Sequence, residues 1–156
     1  MKTPLLIFIV LMIVIGIPAW MLNRNHKKEV AYAAYLKTYH SIAGADLTVR
    51  VDQTFPLPRS DTKGIFAGVR SDDLGNRYMV ICTRHENSGP ENELPTRIFD
   101  LTKNPRGQLY GSIDLMEEWL VDRPCILHVC AASEKEMRCK VEIPAENQSP
   151  ALTRTE

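Results

Sequence analysis

The chain has 156 residues, 44% of them hydrophobic, and 19 basic residues cancel 19 acidic ones to a formal net charge of zero. That balance excludes a strongly basic nucleic-acid surface and a field that would steer a polyanion. The length allows one domain with one modest core once the N-terminal apolar run is set aside.

That run extends from Thr3 to Asn23, TPLLIFIVLMIVIGIPAWMLN, uncharged and bracketed by Lys2 and Arg24. As a helix at about 1.5 Å per residue it covers roughly 31 Å, close to the hydrocarbon thickness of a bilayer. The remaining residues are too polar to bury it on every side, so it reads as a membrane span. Pro4 lies in the first turn, where a missing N–H costs little; Pro18 lies near the far end and is expected to kink or end the helix. Trp20 sits where an aromatic interfacial anchor belongs. The competing reading is a cleaved signal peptide, with Leu5 to Ile17 as its apolar region. Ile17-Pro18-Ala19 is only a tolerable cleavage site, and a retained anchor is expected.

Orientation is argued from both flanks. Lys2 stands on one side and Arg24, Lys27 and Lys28 on the other, which by the positive-inside rule draws the globular part toward the cytoplasm. An apolar segment just behind the initiator Met acts as an export signal, and four cysteines point the same way. The expectation is a single-pass protein of the inner cell membrane with a periplasmic domain. Residues 1–28 form the signal-anchor and basic flank, 29–43 a juxtamembrane helix, 44–143 the β-rich domain, and 144–156 a polar, disordered tail.

Beyond the anchor, Glu29 to Ile42 reads as helix. Tyr32, Tyr35 and Tyr39 recur at i, i+3 and i+7, on one face. This stripe packs the helix on its own domain or rests at headgroup level, with a partner-helix surface as the sharper alternative. Asp46 to Phe55 alternates as a half-buried strand with Leu47, Val49, Val51 and Phe55 inward, closed by Pro56 and Pro58. Ile65–Arg70 and Arg77–Arg84 flank the turn-rich Ser71–Asn76 as a hairpin. The second of these strands is apolar on both faces and belongs in the middle of a sheet. Thr96 to Leu101 is a short edge strand. Ser112 is a credible N-cap for a helix from Ile113 to Val121, with Ile113, Met116, Trp119 and Leu120 as its apolar stripe. Cys125–Ala131 and Met137–Ile143 form the last hairpin.

The expected fold class is therefore an N-terminal transmembrane helix plus a small β-rich α+β domain. Its order, strand, strand, strand, helix, strand, strand, is the one found in OB-folds, where a helix between strands three and four plugs a five-stranded barrel. An order of elements carries no function by itself.

The cysteines are the first candidate site. If Ala132 pairs with Met137, Cys130 falls opposite Cys139 at about 4.5–5.5 Å between Cβ atoms, near disulfide range. Cys82 and Cys125 are then left as the second bridge by elimination. A register slip of one residue destroys the argument. A metal site on Cys125, His128, Cys130 and Cys139 is disfavoured, because Cys125 points away from His128 and Cys130 and no CxxC pair exists. His128 reads as a half-buried sheet histidine. A Cys/His nucleophile pair using His85 or His128 lacks an activated thiolate and an oxyanion donor. Asp72-Asp73 and Glu117-Glu118 are neighbours that splay apart, and no phosphate loop, GxSxG or HExxH is present. No catalytic, cofactor-binding or metal-binding residue is assigned.

The functional expectation is a non-enzymatic, membrane-anchored envelope protein that binds or scaffolds a partner. Accessory subunits of secretion or conjugation machines and exclusion or immunity proteins exemplify that class. Its partners are the bilayer, through residues 3–23, and another envelope protein, met by the loops HENSGPENE and PLPRSDTKG. Nucleic acid is disfavoured as a partner. One alternative is a cytoplasmic-facing anchored OB-like domain that binds nucleic acid or a regulator. Another is a small envelope hydrolase or thiol enzyme.

Overall fold

The computed structural model describes residues 3–57, 62–85, 94–115 and 125–144. One helix runs from the first of these into the β domain. It comprises α1 (Thr3–Leu11), a π-helical turn (Met12–Gly16) and α2 (Ile17–Ser41). The π turn answers Pro18, which has no N–H to offer the Val14 carbonyl and whose ring crowds that carbonyl. The Ile17 N–H reaches back to the Met12 carbonyl instead, the turn widens by one residue, and the helix continues. Of the two expected effects, a kink or an end, Pro18 does not end the helix; it distorts the turn before it. This is a helix long and apolar enough to cross a membrane, and none of its most apolar window, of mean hydropathy 2.9, is buried against the domain. Such a segment fits an anchor or a signal sequence.

Among the described residues nine strands follow: β1 (Leu47–Arg50), β2 (Thr54–Pro56), β3 (Thr62–Ser71), β4 (Arg77–His85), β5 (Leu94–Phe99), β6 (Thr102–Lys103), β7 (Leu109–Leu115), β8 (Cys125–Ala132) and β9 (Glu136–Glu142). They form two antiparallel sheets, ordered β1-β9-β8-β7-β6 and β2-β3-β4-β5. The sheets share their edges through the chain itself. β1 runs into β2 across a bend at Val51–Gln53, and β5 runs into β6 across Asp100-Leu101. At the first bend Asp52 takes φ 65°. Its N–H bonds the Phe66 carbonyl at 2.8 Å while the Val51 N–H bonds that of Lys135 at 3.0 Å, so pairing passes from one sheet to the other. Strands consecutive in the chain are paired or continuous and β9 pairs with β1, so the two sheets wrap around a shared interior as a meandering, barrel-like β domain.

Alternate residues of both sheets fill the interior. Val49, Phe55, Phe66, Met79 and Ile81 meet Leu109, Leu115, Leu127, Val129 and Met137. Burying such side chains contributes about 1.5–3 kcal/mol apiece before entropy is charged. Val49 and Phe55 point inward as their alternation predicted, with Leu47 and Val51 packed against the same core. β4 is central in its sheet and buried on both faces, from Met79 through Thr83.

One expectation is corrected. Ser112 is not an N-cap: Ser112 to Leu115 continue β7, with Ile113 and Leu115 buried and Ser112 and Asp114 exposed, a period of two. Residues 116–121 of the expected helix lie outside the described residues, as does the tail beyond 144. The described strands connect neighbour to neighbour and do not confirm the five-stranded OB-like order.

Candidate functional site

α2 lies on the outer face of β7, β8 and β9, and its tyrosines hold it there. The Tyr32 hydroxyl donates to the Cys130 carbonyl at 3.0 Å and the Tyr35 hydroxyl to the Gly111 carbonyl at 2.8 Å. Both acceptors stand at the sheet's irregularity. Cys130 is an extra residue in β8, and the pairing of β7 with β8 shifts between Leu109 and Gly111. A bulge leaves backbone groups out of the ladder, and here Tyr32 takes up the one on Cys130. The Tyr32 and Tyr35 rings sit 4.8 and 5.0 Å from that of Tyr110. Tyr39 is fully buried, with the Lys140 ammonium 5.1 Å over its ring. Its hydroxyl donates to Asp46. Burial first, and the Asp46 carboxylate second, push the Tyr39 phenol far above its ordinary value, so it remains a proton donor. The tyrosine stripe thus packs the helix on its own domain, the first of its three expected uses.

Toward its apolar N-terminal part the same helix face changes character. Trp20, Asn23, Arg24, Lys27, Lys28 and Ala31 follow at i, i+3, i+4, i+7, i+8 and i+11. With Thr102 and Tyr110 of the barrel they line a cleft of about 340 Å³. The Arg24 guanidinium stacks 5.4 Å over the Trp20 ring. This lining carries three cations and no acid. Around the corner a second cleft, of about 530 Å³, sets Asp72 and Asp100 against Lys28, Arg77 and Lys103.

On the barrel's outer face three neighbouring strands bring together Ser112, His128 and Glu142. Ser112 and His128 are register partners. Ser112 Oγ lies 2.8 Å from His128 Nδ1, and His128 Nε2 lies 2.7 Å from Glu142 Oε2. A carboxylate accepts a proton donor, so Nε2 carries the hydrogen, and in the neutral ring Nδ1 accepts from the Ser112 hydroxyl. Hydroxyl, imidazole and carboxylate are then in the order that activates a nucleophile. Ser112 is exposed, while the His128 side chain is 9% exposed and that of Glu142 40%. Sequence reasoning found only His128. Ser112 was read as a cap and Glu142 only as part of the last hairpin; a strand reading of 109–115 was the signal that would have aligned all three.

The cysteines are placed differently from expectation. Ala132 does pair with Met137, but Cys130 bulges out, so Val129 stands opposite Cys139 and His128 opposite Lys140. Cys139 turns into the core and Cys130 lies under α2. Cys82, Cys125, Cys130 and Cys139 are all buried and none is in a disulfide, so neither expected bridge forms. Burial raises the Cys125 thiol to about 11 and the Cys139 thiol to about 12. Cys130 is raised as well, chiefly by burial. Protonated thiols are poor nucleophiles, which removes these three from a thiol mechanism at neutral pH. Among the described residues no group of three or more His, Cys, Asp or Glu could hold a metal ion; Cys125 and Cys139 face inward while His128 faces outward. Most of HENSGPENE, and residues 58–61 of PLPRSDTKG, lie outside the described residues.

The chain matches no protein-family model, no curated protein and no solved structure.

Proposed function

We propose that this is a single-pass membrane protein whose barrel is a docking platform for another envelope component, as an accessory subunit or an exclusion or immunity protein would be. The observation that carries the reading is the helix, which runs unbroken from Pro4 to Ser41 and is hydrogen-bonded to the barrel through Tyr32 and Tyr35. A flexible tether raises a domain's effective concentration and nothing more. A docked helix also fixes height and direction. Arg24 to Tyr32 is eight residues, about 12 Å of helix, so the barrel rim would stand at the headgroup layer with its exposed turns held at a fixed height toward a partner. The test is photo-crosslinking in cells from Leu74, 88% exposed at the Ser71–Arg77 turn. A discrete crosslinked species is expected, and a Gly/Ser insertion after Glu29 should abolish it. Equal crosslinking with the helix uncoupled would show that fixed presentation is irrelevant and overturn the platform.

The extracytoplasmic placement of the barrel belongs to the same proposal. It rests on the apolar segment leading the barrel; the unbridged cysteines no longer support it, and Arg24, Lys27 and Lys28 weigh against it. A Leu74→Cys chain should react with a membrane-impermeant maleimide in spheroplasts. Reaction only after lysis would place the barrel in the cytoplasm.

One observation favours a second reading, a small envelope hydrolase: the Ser112–His128–Glu142 relay. It predicts that a fluorophosphonate labels the chain at Ser112 and that Ser112→Ala and His128→Gln both abolish labelling. An unlabelled parent chain would leave the relay a structural tie between three strands.

A further inference from the structure

We propose that the cleft between α2 and the barrel rim binds the headgroup of an anionic phospholipid from the adjoining leaflet. The inference rests on the membrane-anchor reading and deepens it. Three features of the cleft point the same way.

The first is depth. Trp20 lies at the end of the apolar run, an aromatic at the hydrocarbon edge. Arg24 stands about 6 Å further along the helix and Lys27 and Lys28 about 10–12 Å, within the polar layer of a bilayer. Helix side chains lean toward the N-terminus, here toward the membrane, and long cationic stems reach further back to the interface.

The second is direction. Lys28, Tyr32, Tyr35 and Tyr39 follow at i, i+4, i+7 and i+11, so the cations occupy the helix face that the tyrosines turn to the barrel. Three cations would gain more hydration on the opposite face. Here Arg24, Lys27 and Lys28 converge beneath Thr102 and Tyr110, on a cleft with no acidic lining.

The third is shape. The lining combines an aromatic and Ala31 with the cations, as a lipid needs: an apolar flank for the glycerol and upper chain, and charge for the phosphate. The neighbouring cleft is larger but carries Asp72 and Asp100, which would repel a phosphate.

Each juxtamembrane cation strengthens anionic-lipid binding by about five-fold. Reversing Lys27 and Lys28 should therefore lower the preference for phosphatidylglycerol over phosphatidylcholine by at least about ten-fold. The measurement is native mass spectrometry of the full chain in mild detergent with each lipid added. The parent should retain one phosphatidylglycerol selectively, Lys27→Glu/Lys28→Glu should not, and Lys37→Glu, a reversal further along α2, should behave as the parent. Equal retention of both lipids, or equal loss in the Lys37 variant, would overturn the site. So would displacement of the lipid by inorganic phosphate at equal concentration, which would make it a free-anion site. Carbonate extraction of membranes reads the anchor separately. A chain released by carbonate removes the anchor and this site together, whereas a retained chain without lipid preference removes the site alone.

Discussion

Cys130 is one residue more than β9 can match, and with it the alternation of β8 changes phase. Periodicity in a sequence carries no mark of such an insertion, because Val129, Cys130 and Ala131 are all compatible with either face. The Cys130–Cys139 bridge was legible only for a regular hairpin, and a bulge defeats it in the way a register slip would. Gly64 is the opposite case, a residue whose reason is visible only in the partner strand. It pairs with Phe55, whose ring covers it so closely that an added Cβ would lie 2.6 Å from Cε1. Gly64→Ala should cost about 1–3 kcal/mol by overpacking, read as a lower midpoint of unfolding for the full chain in mild detergent. A cost under about 0.5 kcal/mol would mean that Phe55 has room to move aside.

The helix was readable because its signal is long. Tyr32, Tyr35 and Tyr39 declared a face by spacing alone, and the structure supplies what that face meets: two carbonyls at the sheet irregularity, the Tyr110 ring and Asp46. The misread helix at Ile113 shows the converse. Ile113, Met116 and Leu120 fit a 3.6-residue period, while Ile113 and Leu115 fit a two-residue period over the part that is described, and a window that short cannot arbitrate. Since α2 shares buried contacts with β7, β8 and β9, it should open with them as one cooperative unit. Tyr35→Ala removes a hydrogen bond and a ring contact with Tyr110 from that junction. Hydrogen exchange should accelerate at least ten-fold between Tyr32 and Ser41, with β3 and β4 much less affected. Unchanged protection in that helix would show that the span, not the barrel, orders it.

For the whole molecule, the sequence disclosed a long apolar helix and a β domain but not how the strands are arranged. The reason is physical: β1 and β2, like β5 and β6, are single stretches of chain that bend between sheets, and alternation persists through a bend. Packing of the two sheets places Cys125 and Cys139 in the shared core, and this makes the fold sensitive to alkali. Their thiols titrate near 9 when exposed and at about 11 and 12 in the native chain. Below pH 9 both states hold these protons and stability is flat. Between pH 9 and 11 the unfolded chain releases them while the native chain does not, so stability falls as pH rises, by up to about 1.4 kcal/mol per pH unit for each thiol. The tyrosines Tyr32, Tyr35 and Tyr39 are raised too and steepen the fall above pH 10, which leaves pH 9–10 as the window that isolates the thiols. Cys125→Ala/Cys139→Ala should lower the unfolding temperature in mild detergent at every pH through lost packing, yet flatten its slope between pH 9 and 10. A slope equal to that of the parent chain would show that neither thiol is held protonated by the closed core.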